Sequence, residues 1–139
     1  MPAMQRFPVV VRVPVQWGDM DALGHVNNAV YFTWFESARI ALFERVGLAI
    51  TGVPEVGPIL AHTRCDFLAP VRYPGEVLTG TRIERLGRTS FTMEYEAALA
   101  ADPERPVARG QGVVVLIDYR DSSKVELSPG LRDALAALG

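Results

Sequence analysis

Residues 17–39 read WGDMDALGHVNNAVYFTWFESAR. Two aspartates, one histidine and two asparagines fall within its first twelve residues, and the chain then turns apolar. Gly18 to Val26 carries no periodicity and reads as a loop. Asn28 to Val46 reads as a helix of about five turns, roughly 28 Å long at about 1.5 Å per residue. Asn27 or Asn28 supplies the N-cap and Gly47 the stop. Thr33, Glu36, Ser37 and Glu44 share one side at helical spacing. Tyr31, Trp34, Phe35, Ala38, Ile40, Leu42, Phe43 and Val46 cover much of the rest. A helix apolar over so much of its girth must be covered on more than one side, which calls for an enclosing layer.

The flanking sequence supplies that layer. Before the loop, Val11, Val13, Val15 and Trp17 alternate with Arg12, Pro14 and Gln16, the pattern of a half-buried strand that Pro14 confines to an edge. After TGVPEVGP, Ala61, Thr63, Cys65 and Phe67 face one way, with His62, Arg64 and Asp66 opposite. APVRYPG turns the chain into a strand from Val77 to Leu86, and Leu86-Gly87-Arg88 is a tight turn. Phe91, Met93, Tyr95 and Ala97 alternate with Thr92, Glu94 and Glu96, ADPERP turns again, and Val113 to Ile117 is apolar on both faces, as a central strand requires. Ser128-Pro129 opens a short terminal helix that ends at Leu138. The expected architecture is α+β: one antiparallel sheet wrapped around one long central helix, with open edges that a two-fold partner can pair.

The chain has 139 residues, a length that suits one domain spanning 1–139. A net charge of −2 gives no basic surface for nucleic acid or anionic membrane. The N-terminal apolar run is broken by Arg12 and Pro14, so no secretory leader is expected. Glu36, Arg39, Glu44 and Arg45 interrupt the long helix and make it a poor membrane span. The single cysteine, Cys65, precludes an internal disulfide and fits a reducing cytoplasm.

The polar cluster carries the chemistry. The first N–H groups of a helix have no partner inside it and, with the helix dipole, make a local positive site. Such a site can hold an oxygen that becomes negative during acyl transfer. A carboxylate from Asp19 or Asp21 can stand beside the same carbonyl, to attack its carbon or to take a proton from water. That arrangement suits hydrolysis of an activated acyl group with a good leaving group such as a thiolate. The plainer reading is a solvated loop with helix caps, but Asp19, Asp21, His25, Asn27 and Asn28 are more polar groups than one helix start needs. A metal site on Asp19, Asp21 and His25 would want a further ligand from a chain holding two histidines and one cysteine. Cys65 reads as inert core, and Thr89 and Ser90 as turn residues with no histidine close in sequence to activate them.

The stretch closely resembles the N-terminal motif of hotdog-fold acyl-CoA thioesterases of the 4-hydroxybenzoyl-CoA thioesterase family. The family pattern D-x-D-x-x-G-H-V-N-N-x-x-Y, followed by Glu and Arg, is matched by Asp19, Asp21, Gly24, His25, Val26, Asn27, Asn28, Tyr31, Glu36 and Arg39. DFLAPVRYPGEV and RLGRTSFTMEYE are similar to later strand regions, so the resemblance covers roughly residues 10–120. It implies a hotdog fold and an acyl-CoA thioesterase, with Asp21 as catalytic carboxylate, nucleophile or general base, and the Asn28 N–H holding the thioester oxygen. It implies that Gly24, His25, Val26, Asn27 and Tyr31 shape the substrate site, that Asp19 supports it, and that Arg88, Thr89 and Ser90 contact the nucleotide of coenzyme A. It also implies a homodimer or a dimer of dimers with sites between subunits, in which coenzyme A is part of the substrate and no metal or organic cofactor is needed. The tetrapeptide His25-Val26-Asn27-Asn28 is closer to members with broader or fatty-acyl preference than to the hydroxybenzoyl-specific type. Two other activities stay open: a hydratase or dehydratase using His25 with Asp21, and a non-catalytic acyl-CoA or acyl-carrier binding module.

Overall fold

The computed structural model describes residues 3–48 and 50–139. Met1, Pro2 and Ala49 lie outside the described residues, and with them the first two positions of the segment read for a leader. In chain order the elements are β1 (Val9–Pro14), α1 (Asn28–Val46), β2 (Val56–Phe67), β3 (Glu76–Leu86), β4 (Ser90–Leu99), β5 (Pro106–Asp118), β6 (Ser123–Lys124) and α2 (Pro129–Ala136). Short 3-10 helices occupy Ala3–Arg6 and Trp17–Asp19.

The strands make one antiparallel sheet in the order β1-β3-β4-β5-β2, with β6 paired to β5. One face curls around α1, the enclosing sheet expected from the pattern of the chain and the hotdog arrangement that the resemblance implies. The bounds of α1 are those read from the sequence because both its ends are decided locally. Asn27 Oδ1 accepts the Ala29 N–H at 2.9 Å, and Gly47 sits at φ 77°, a left-handed stop that a side chain would strain. Trp34, Phe35, Ala38 and Leu42 are fully buried on α1, against Phe91, Met93, Tyr95 and Ala97 of β4. Phe35 reaches the sheet where Gly110 leaves room: a Cβ on Gly110 would collide with its ring and stand 2.7 Å from the Arg64 carbonyl.

Several boundaries depart from the sequence pattern: β5 begins at Pro106, well before the Val113–Ile117 run, α2 ends at Ala136 and not Leu138, and two further departures have a local cause. The first strand does not run to Trp17. Asp19 Oδ2 accepts the Gln16 N–H at 2.8 Å and the Asp19 N–H donates to the Gln16 carbonyl at 3.0 Å. That local closure turns the chain into a 3-10 helix and leaves Trp17 72% exposed. β2 starts at Val56, earlier than the Ala61 alternation, because a bulge between Leu60 and His62 breaks the period of two. Pro14 sits on edge strand β1, as expected. The terminal helix α2 is capped by Ser128 Oγ, which accepts the Leu131 N–H at 3.2 Å, and the Leu138 carbonyl accepts the Ile83 N–H at 2.8 Å.

β2 forms the opposite edge of the sheet and is exposed over most of its length, including Val56, Ile59, Leu60 and Phe67. Among the described residues, no helix is long and apolar enough to cross a membrane.

Candidate active site

The loop before α1 is closed mainly by peptide groups. The Asp21 N–H donates to the His25 carbonyl at 2.9 Å, and the Gly24 N–H to the Asp21 carbonyl at 3.1 Å. The Asn27 N–H donates to the Asp19 carbonyl at 2.9 Å, and the Val26 N–H to the Val71 carbonyl at 2.8 Å. Gly24 takes φ 78°, which a residue without a Cβ adopts freely. Val26 is buried beneath this loop and ties it to the core. Asp19, Asp21 and His25 are thereby carried at fixed places immediately before the helix.

Asp21 is exposed in the single chain, and its Oδ1 accepts the Leu23 N–H at 2.9 Å. Its Oδ2 has no partner among the described residues. At the helix start the Ala29 N–H goes to the Asn27 side chain and the Val30 N–H to the Asn27 carbonyl at 3.0 Å. The Asn28 N–H has no acceptor among the described residues. A carboxylate and a free amide donor thus belong to one short loop and the helix start that follows it, two kinds of group that acyl transfer uses. The His25 ring meets Arg72, with Nε2 and Nη2 2.8 Å apart.

The remaining motif residues divide into two groups. Tyr31 is buried inside the chain, packed on Trp34 and Phe67, and its hydroxyl donates to the Ala69 carbonyl at 3.2 Å. Burial raises the pKa of that hydroxyl. Trp34 and Phe35 are core. Arg39 is also buried and donates to the Tyr95 hydroxyl at 3.3 Å, with Glu36 exposed 3.7 Å away. Phe32, Thr33, Glu36 and Arg39 line a cavity of about 160 Å³ against Leu60 and Thr63 of β2.

Arg88, Thr89 and Ser90 lie at the other end of α1. Phe91, next in sequence, packs edge-on against Phe43 with centroids 6.2 Å apart, near the helix C-terminus. Arg88 pairs with Glu126 at 2.9 Å, and the Thr89 carbonyl accepts the Leu116 N–H at 2.9 Å. One chain therefore does not bring this segment to Asp21; most of the ~28 Å of the helix lies between them. Cys65 is half-buried against the core, and burial, with Asp66 adding, pushes its thiol up to about 11. Among the described residues no group of three or more His, Cys, Asp or Glu side chains is placed as a metal ion would need. Arg72 is the contact that reading the sequence missed. It lies in a turn-rich connection with no period, and only the fold brings it to the motif.

A family model described as Thioesterase-like superfamily matches residues 15–135. The PA5185 protein of Pseudomonas aeruginosa strain PAO1 is 35% identical with a TM-score of 0.86, over 99% of this chain and 95% of that one. A thioesterase of Thermus thermophilus, solved with coenzyme A and Zn, is 34% identical with a TM-score of 0.82, over 97% and 96% of the two chains. The 1,4-dihydroxy-2-naphthoyl-CoA hydrolase of Synechococcus sp. (strain CC9605) is 28% identical over 125 residues, 84% of this chain and 82% of that protein. The match to the uncharacterized protein YsmA of Bacillus subtilis (strain 168), 27% identical over 84 residues, spans only 56% of that protein.

Proposed function

The chain belongs to the thioesterase-like superfamily, and on that premise we propose that it hydrolyses acyl-CoA thioesters to a free acid and coenzyme A. The observation that carries the reading is the loop that ends in the unpartnered Asn28 N–H and holds the Asp21 carboxylate at its start. The coenzyme A found with the Thermus thermophilus thioesterase and the name of the Synechococcus hydrolase support coenzyme A as the carrier. The thioester carbonyl oxygen takes the Asn28 N–H and gains negative charge as its carbon is attacked. By one route Asp21 Oδ2 attacks the carbon, the C–S bond breaks, coenzyme A leaves as thiolate, and water hydrolyses the resulting anhydride. By the other, water attacks while Asp21 takes its proton, and the same C–S bond breaks. Label found in Asp21 after a single turnover in ¹⁸O water establishes the first route, by water attack on the Asp21 side of the anhydride, whereas label in the acid alone fits both.

The proposal extends to assembly. Two copies pair along β2, and Arg88, Thr89 and Ser90 of one copy meet the coenzyme A whose thioester lies on Asp21 of the other. This is consistent with their placement at opposite ends of α1 within one chain. Gly24, His25, Val26 and Asn27 shape the thioester end, and Tyr31 backs it from the core. The enzyme works in the cytoplasm as a homodimer or dimer of dimers, without a resident metal or organic cofactor. It stands with the members of the 4-hydroxybenzoyl-CoA thioesterase family that carry His-Val-Asn-Asn.

A thiol-release screen over aliphatic and aromatic acyl-CoA thioesters tests activity and substrate class together. Asp21→Asn keeps an acceptor for the Leu23 N–H and is expected to lower turnover on the order of 100-fold or more while the fold survives, as loss of a nucleophile or base does. Near wild-type turnover by that variant would remove Asp21 from the mechanism. Hydration of crotonyl-CoA without thiol release would instead establish a hydratase, and tight acyl-CoA binding with no product of either kind a binding module.

A further inference from the structure

Arg72 touches the motif at a point to which no sequence pattern leads. Its guanidinium stands 2.8 Å from His25 Nε2. A guanidinium only donates, so Nε2 must offer its lone pair, and the ring must be neutral with its proton on Nδ1. The residue before Arg72 grips the residue after His25: the Val71 carbonyl takes the Val26 N–H at 2.8 Å. Two neighbouring residues of the β2–β3 connection thus hold two neighbouring residues of the motif, one pair by main chain and one by side chain. Val71 is buried, so the connection has a fixed base from which Arg72 reaches out. The Nδ1–H that this contact leaves on the ring has no acceptor among the described residues.

We propose that Arg72 is a positioning residue that locks His25 as the neutral Nδ1–H tautomer, so that the ring enters the reaction as a hydrogen-bond donor and not as a base. The catalytic half of this inference rests on the thioesterase reading; the tautomer does not. With Nε2 engaged, the ring can accept a proton only by giving up Arg72. The site then holds one base, Asp21, and two donors, the Asn28 N–H and His25 Nδ1–H.

Nitrogen-15 NMR of histidine-labelled protein at neutral pH reads the tautomer directly. The chain has two histidines, and His62→Gln assigns the spectrum. The expected wild-type signature is a protonated Nδ1 and a bare Nε2 on His25. Arg72→Met, at an exposed position, should shift the proton toward Nε2 and lower kcat on the order of tenfold, about 1.4 kcal/mol of barrier. Arg72→Lys, which still donates, should restore part of both. A wild-type proton on Nε2, an Arg72→Met tautomer unchanged from wild type, or a variant whose sole defect is a raised KM would each overturn the lock or its role. If the lock is present but no acyl-CoA releases thiol, the thioesterase reading falls and the tautomer assignment stands.

Discussion

Phe35 lies flat against Tyr95, with ring planes 8° apart and centroids 4.8 Å apart. The stack fits because Gly110, opposite Tyr95 on β5, has no side chain. Helix and sheet approach each other there more closely than any Cβ permits.

Gly110→Ala is therefore expected to destabilise the fold by ~1–3 kcal/mol through overpacking. The new methyl would meet the Phe35 ring and the Arg64 backbone, and backbone does not move aside cheaply. A fall in the urea midpoint with an unchanged slope is the expected result. A midpoint equal to wild type would show that α1 can lift away from the sheet.

Asn27→Ala removes the acceptor for the Ala29 N–H and should cost about 1 kcal/mol of stability. It also frees a second N–H beside that of Asn28, so activity should change along with stability. Asn27→Asp keeps the cap and should recover the urea midpoint. Equal midpoints for Ala and wild type would mean that water caps the helix as well as the side chain does.

Ile59→Asp places a charge on the exposed edge strand, where a paired copy would have to desolvate it. Light scattering should show a lower mass, and thiol release should fall although Asp21 and Asn28 are untouched. An unchanged mass would move the interface away from β2.

Cys65 supplies a pH prediction. Its thiol is raised from an ordinary 9 to about 11 in the folded chain, chiefly by burial. A raised pKa favours the protonated form on folding, so this contribution is whole below pH 9 and is lost as pH rises through 11. Iodoacetamide should alkylate the native protein slowly at about pH 8 and much faster in urea, with a native titration midpoint near 11. A native midpoint below 9 would contradict the burial of this side chain.

What the sequence disclosed depended on how local each cause is. The bounds of α1 were legible because Asn27 and Gly47 act within one turn of it. The common face of Thr63, Cys65 and Phe67 was legible because a strand alternates with a period of two, and their partners Gly112, Gly110 and Ala108 keep the same alternation. The end of β1 was not, since the Asp19 carboxylate competes for the Gln16 N–H and wins over an alternation that continues to Trp17. The start of β2 was hidden by one extra residue at its bulge. The motif itself stood out through its excess of polar groups. The partner of His25 did not, because Arg72 is 47 residues away and no periodicity connects them.

The motif loop owes its form to peptide groups: Asp19, Asp21 and Val71 lend their carbonyls to it, as does His25. Most of the loop's shape is thus written in its main chain, with the Asp21 carboxylate adding one bond to the Leu23 N–H. A replacement at position 21 that keeps an acceptor there leaves the cradle standing, so one scaffold can carry a different side chain without first being rebuilt.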